Sequence, residues 1–239
     1  MEPSRVPLPP LGTTGVERSV TGVVSWLSGS VEMIDGETDG WSWVERMQRV
    51  WPVGTHRPYT RFYQDGVVAD DESWAILWDG TGDAAGTIGV EARQRLWEAL
   101  SGPEAVKLAL DLLTAGVRPS RVDLVGVDGS GRIRPRDLLA AWRDGGVRTR
   151  TRTGKLWEEL DGRQGLFVGS RTSDRYVRMY EVAGWDGRQL RLETESKRGR
   201  AAALGSALLD GRDADDLWAA ELRGAIDWPA SADWAALFG

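Results

Sequence analysis

The run Arg175-Tyr176-Val177-Arg178-Met179-Tyr180-Glu181 has the spacing of a chemical site. Side chains alternate along a β-strand, so Tyr176, Arg178 and Tyr180 share one face, and Val177 and Met179 point to a core on the other. A phenol beside a guanidinium is a nucleophile with its own cation. Arg178 favours the phenolate of Tyr180 and stabilises the charge that gathers on a phosphoryl group under attack. Two strand tyrosines with polar tips would show the same pattern, so carboxylates have to decide the matter. Asp123 sits mid-strand in Arg121-Val122-Asp123-Leu124, and Glu193 sits mid-strand between Leu190 and Glu195, sharing a face with Arg191 and Glu195. Acids in apolar strands are costly to bury unless a cation or a metal partners them. Two or three converging carboxylates make a hard-oxygen site suited to Mg²⁺ or Mn²⁺, and plain Arg–Glu pairing across strands is the alternative of equal weight.

A second constellation concerns charge. The strand expected at Val147–Thr153 would present Arg148, Arg150 and Arg152 on one face at intervals of about 7 Å, twice the strand rise, close to the phosphate repeat of an extended single strand. The alternative is an edge strand protected by charge. From Arg132 to Arg178 there are 12 basic and 6 acidic residues, a net of +6 in a chain of net −6, which leaves −12 for the remainder. A molecule polarised in this way can bind a polyanion with one face. The chain has no cysteine, which removes disulfides and thiolate zinc sites and suits a cytoplasmic protein. No apolar run approaches the length needed to span a bilayer, so no membrane partner is expected. The 13 tryptophans fall mostly at apolar-face positions, which favours core use over an exposed contact surface.

These residues need a scaffold. Strands are expected at Val20–Val31, Ser73–Trp78, Thr87–Val90 and Arg121–Val127, with helices at 41–51, 91–100, 103–113 and 135–142. After Gly146 the period changes to two, with strands at Val147–Thr153, Gly165–Gly169, Arg175–Val182 and Gln189–Glu195, and helices at 201–209 and 214–226 close the chain. The stretch 147–195 has no room for crossover helices, so an α+β fold with a mainly antiparallel sheet and flanking helices is expected. The organisation predicted is an arm at 1–18, a main domain at 19–210 and a helical segment at 211–239.

The stretches GVVSWLSGSV, TIGVEARQRLWEAL, PSRVDLVGVD, GLFVGSRTSDRYVRMYE and LRLETESKRGRAA, in this order across about residues 22–205, resemble the replication initiation factor family, the Rep_trans type of rolling-circle plasmid initiators and related mobilisation relaxases. The resemblance implies a DNA-nicking fold related to the HUH nucleases but with acidic metal ligands, and the single histidine, His56, excludes a histidine-pair metal site. It further implies that Tyr180 attacks one strand at an origin and becomes joined to the 5′ phosphate, with Arg178 stabilising the transition state. Asp123, Glu193 and Asp128 would hold the Mg²⁺ or Mn²⁺. Asp123 and Asp128 are five apart, which puts them on opposite faces unless Gly126 makes a bulge. Gly169, Ser170, Arg171 and Ser173 would shape a turn against the DNA, with Arg148, Arg150, Arg152, Lys155 and Arg175 as further contacts. The expected partner is single-stranded or cruciform origin DNA, and a homodimer is compatible with this. The competing reading is a non-catalytic DNA-binding relative with a regulatory or accessory role on a plasmid or phage.

Overall fold

The alternation read at 175–182 and 189–195 produces two strands paired antiparallel over ten positions. A computed structural model describes residues 22–33, 40–48, 54–56, 62–128, 133–151, 153–184 and 187–227. The arm expected at 1–18 and the apolar tail after 227 lie outside these. The fold is α+β, with mainly antiparallel sheets and flanking helices, and the chain divides into two compact units, 24–122 and a second unit formed by 1–23 with 123–239.

In the unit 24–122, strands β2 (Gly54–His56), β3 (Tyr63–Ala69), β4 (Trp74–Gly80), β5 (Thr87–Ala92) and β1 (Gly22–Glu32) neighbour one another in that order, every pair antiparallel. Val24, Leu27, Trp74, Ile76, Ile88 and Val90 are buried in this sheet. Helix α1 (Trp41–Gln48) buries Trp43, Val44 and Met47, the apolar positions at helical spacing. After the short α2 (Gln94–Glu98), α3 (Gly102–Thr114) buries Ala105, Ala109, Leu112 and Leu113. Glu104 closes the start of α3, accepting from Ser101 N at 2.8 Å and Ser101 Oγ at 2.7 Å, and Pro103 fits the first turn. These two hydrogen bonds hold the Glu104 carboxyl below its usual range. Gly116 follows at φ +96°, a left-handed stop that residues with a Cβ rarely adopt.

Strand β6 (Arg118–Asp128) enters the other unit at Asp123. There α4 (Pro135–Arg143), β7 (Arg148–Thr149), β8 (Gly154–Glu158), β9 (Gln164–Val168), β10 (Arg175–Gly184) and β11 (Gly187–Lys197) are followed by α5 (Gly199–Leu209), α6 (Ala214–Ala225) and β12 (Ile226–Asp227). The sheet order is β6-β11-β10-β9-β8, and β7 pairs separately with β12. Leu166, Val168, Val177, Met179, Leu190 and Leu192 form its buried face with Leu204, Leu208, Leu217 and Trp218 of the last two helices. Trp218 is fully buried and donates its Nε1 to Leu192 O at 3.0 Å. A Cβ on Gly22 would lie 2.5 Å from Cβ of Trp218. Gly22→Ala is therefore expected to cost about 1–3 kcal/mol, read as a lowered urea midpoint at unchanged slope.

Two sequence expectations need correction. The strand over 147–153 reduces to Arg148–Thr149, because threonine side chains bond to their own backbone and turn the chain. Thr149 Oγ1 donates to Thr151 O at 2.6 Å, and Thr153 N donates to Thr151 Oγ1 at 3.3 Å. β2, β3 and β8 were not expected at all. Five of the tryptophans, Trp43, Trp74, Trp78, Trp97 and Trp218, are in the core, as their apolar-face positions implied, and Trp41 is 46% exposed.

Candidate functional site

Antiparallel register builds the site in the unit 123–239. Tyr176 faces Glu195, Arg178 faces Glu193 and Tyr180 faces Arg191 across β10 and β11. Directly opposed residues project to the same side, so these six form a polar ladder on one face. Val177, Met179, Leu192 and Thr194 occupy the other face and are buried. Asp123 joins from β6, the neighbour of β11.

All three carboxylates of this cluster are on buried residues. Asp123 is 0% exposed, Glu193 2% and Glu195 5%. Burying ionised carboxylates costs several kcal/mol each unless a cation compensates. Arg178 is that cation. Its Nη2 lies 2.8 Å from Glu193 Oε1, 3.0 Å from Asp123 Oδ2 and 3.5 Å from Glu195 Oε2. Lys197 adds a second positive charge against Glu195 Oε1. The Tyr180 hydroxyl donates to Glu193 Oε2 at 3.1 Å, so one carboxylate bridges phenol and guanidinium. Burial pushes the phenol's pKa well above its ordinary value, and the Glu193 charge adds to the rise. Arg191 and Arg178 pull the other way without cancelling it. The resting Tyr180 is a neutral phenol aimed at a base.

The expected metal ligands are only partly brought together. Asp123 and Glu193 meet around Arg178, and Glu195 completes the set there in place of Asp128. Asp128 is fully buried at the end of β6. Buried hard oxygens are the right donors for Mg²⁺ or Mn²⁺. Among the described residues, however, no three acidic or histidine side chains converge closely enough to hold an ion. The carboxylates are spaced around a guanidinium, and in this arrangement they do not fit a divalent ion.

The residues expected to contact DNA divide into two groups. Arg148, Arg150, Lys155 and Arg171 are exposed, on the β7 turn, the edge strand β8 and the loop before β10. Arg152 lies outside the described residues. Ser170, also exposed, starts a tight loop after Gly169, whose φ is +100°. Ser173 clips that loop, its Oγ lying 2.6 Å from Ser170 O and 2.5 Å from Arg175 O and sharing its one proton between them, so its hydroxyl is a structural tie. Arg175 turns inward and pairs with Glu221 Oε2 at 3.1 Å.

Glu221 was not expected from the sequence. It is 0% exposed on α6 and also accepts from Arg200 Nε at 2.6 Å, Arg200 Nη2 at 2.8 Å and Ser196 Oγ at 3.1 Å. Burial raises the Glu221 pKa, and Arg200 is the strongest influence opposing the rise. The carboxylate joins α6 and α5 to the first residue of the strand that carries Tyr180. Gly224 makes room for this, since a Cβ there would lie 2.8 Å from Arg175 Nη1. An acid inside Ala219-Ala220-Glu221-Leu222, on a helix otherwise apolar at that point, was the available signal.

No family model matches the sequence, and no curated protein matches it. A search of solved structures finds the rolling circle replication initiator protein from Geobacillus stearothermophilus, with a TM-score of 0.75 at 18% sequence identity, covering 92% of this chain and 96% of that one. Over nearly its whole length the chain therefore has the fold of a rolling-circle replication initiator.

Proposed function

We propose that the protein is a replication initiator that nicks one DNA strand through Tyr180. The observation that carries this reading is the contact of Tyr180 Oη with Glu193 Oε2 at 3.1 Å, beside an Arg178 held by Asp123 and Glu193. The fold shared with an initiator supports it. In the reaction the phenol oxygen forms a bond to the phosphorus while its proton passes to Glu193 Oε2. The P–O3′ bond breaks, and the leaving oxygen takes a proton from water. The products are a 5′-phosphotyrosine and a free 3′-hydroxyl able to prime synthesis. A phenol bonding to phosphorus loses its affinity for its proton, so a carboxylate suffices as acceptor during the step. Arg148, Arg150, Lys155 and Arg171 offer the backbone contacts that position the strand.

The test is incubation of the protein with end-labelled single-stranded and cruciform oligonucleotides from its own replicon, with Mg²⁺ or Mn²⁺ present. A covalent protein–DNA band on a denaturing gel is expected. The raised proton affinity of Tyr180 makes the pH profile informative. A route through preformed phenolate would climb steadily across roughly pH 7 to 9, because the phenol titrates above that range. Transfer of the proton to Glu193 within the bond-forming step predicts no such climb. A steady tenfold climb per pH unit would remove Glu193 from the step.

A second reading has its own observation. Arg178 is committed to three carboxylates and Tyr180 is neutral and half-buried, the arrangement expected of a DNA-binding relative without activity. Salt-sensitive DNA binding with no adduct under either metal would favour it.

A further inference from the structure

The sheet face that carries Tyr180 continues past it onto β9 and β8. Antiparallel register sets Gly165 of β9 opposite Tyr180 and Trp157 of β8 opposite Gly165, so the three stand in one row across the sheet. In the next row Arg178, Phe167 and Lys155 are opposed in the same way. Directly opposed residues project to the same side, which puts Trp157, Phe167 and Lys155 on the side of Tyr180. Gly165 is what lets the indole in. A Cβ there would lie 2.2 Å from Trp157 Nε1 and 2.3 Å from its Cε2, so the ring rests on the glycine that separates β8 from Tyr180. Trp157, Phe167 and Tyr176 make a chain of tilted rings, with centroids 6.2 Å and then 6.0 Å apart. Tyr176 is buried, Trp157 and Phe167 are half-buried, and Lys155 is exposed.

Trp157 Nε1 is covered and has no hydrogen-bond partner, so the placement does not serve the polar end of the indole. Half-exposed rings beside a cation suit a single nucleic-acid strand, whose bases stack on aromatic faces while the cation follows the backbone. We propose that Trp157 and Phe167 form a stacking platform for a base of single-stranded DNA adjoining the phosphate presented to Tyr180, with Lys155 against the backbone. β8 is the last strand of its sheet, so the platform opens at the sheet edge, where a strand can enter. A duplex keeps base faces against their neighbours, and the platform therefore selects melted DNA. The proposal takes its substrate from the nicking reading.

The experiment is binding of the full chain, in chelator, to a fluorescent oligothymidylate and to an oligomer of equal length made of abasic sugar phosphates. Trp157→Ala is expected to bind oligothymidylate about tenfold more weakly than wild type, at an unchanged salt slope, and the abasic oligomer as wild type does. Trp157→Phe, which keeps a ring, should recover most of the loss. Equal binding of oligothymidylate by folded Trp157→Ala and wild type, or an equal loss on both oligomers, would overturn the proposal. The wild type supplies a second measurement if Trp157→Ala does not fold. Irradiated with oligothymidylate carrying 5-iodouracil, it should crosslink through the tryptic peptides 156–163 or 164–171, which hold Trp157 and Phe167. Crosslinks confined to other peptides, or none, would equally overturn it. Base-dependent binding without an adduct under either metal would defeat the nicking reading alone. An adduct formed by a protein whose Trp157→Ala variant binds oligothymidylate normally would defeat the platform alone.

Discussion

Tyr180→Phe is expected to lower covalent adduct formation by at least about 10³-fold, because it deletes the only atom that can attack while leaving the ring in place. The same variant should bind single-stranded DNA with unchanged affinity and salt dependence, since Arg148, Arg150, Lys155 and Arg171 are exposed residues of other segments. Its stability should fall by no more than about 0.5–1.5 kcal/mol, the worth of the phenol's hydrogen bond to Glu193. Tyr176 lies on the same face two residues earlier but is 5% exposed and faces Glu195. Tyr176→Phe should therefore keep activity. Rates and binding measured on the same preparations separate these outcomes, and an adduct that persists in Tyr180→Phe would remove Tyr180 as nucleophile.

The second large effect concerns Glu221. Glu221→Ala removes the carboxylate shared by Arg175 and Arg200, whose side chains are only 15% and 12% exposed. Two guanidiniums would be left facing each other without their counter-ion. Breaking a buried pair by removing one partner costs about 3–5 kcal/mol, and a large part of a domain's stability can be lost in this way. The expected result is a thermal midpoint lowered by many degrees, with α6 the first element to lose amide-exchange protection. Glu221→Gln keeps the shape and two acceptor positions on fewer atoms, so its loss should be smaller. Near-equal midpoints for Glu221→Ala and wild type would show that the network contributes little.

The sequence and the structure agree where alternation met a real core. Val177 and Met179 needed a buried face, and this alone directed Tyr176, Arg178 and Tyr180 to the other side, where Glu193 and Asp123 meet them. The strand over 147–153 failed for a local reason, since alternating threonines offered their hydroxyls to the backbone and bent it after Thr149. β8 escaped notice because an edge strand can expose nearly every residue, and Gly154–Glu158 does. In β3, Gln64-Asp65-Gly66 reads as a turn, and its extended form comes from pairing with Trp78 and Leu77 of β4. The third carboxylate was a matter of tertiary geometry. The resemblance nominated Asp128, against the spacing along β6, whereas Glu195 reaches Arg178 because it shares a face and a strand with Glu193. The pairing of Arg175 with Glu221 escaped notice for a related reason, since no local pattern reveals a glutamate on a helix 46 residues later.

The most direct measurement of the central claim is the site of attachment. Wild-type protein is reacted with a short origin oligonucleotide, trypsin-digested, and the DNA-bearing peptide identified by mass spectrometry. The account predicts that the nucleotide mass sits on the peptide spanning residues 179–188, on Tyr180 through its phenol oxygen. Attachment at any other residue, or no attachment with DNA bound and either metal present, would contradict it.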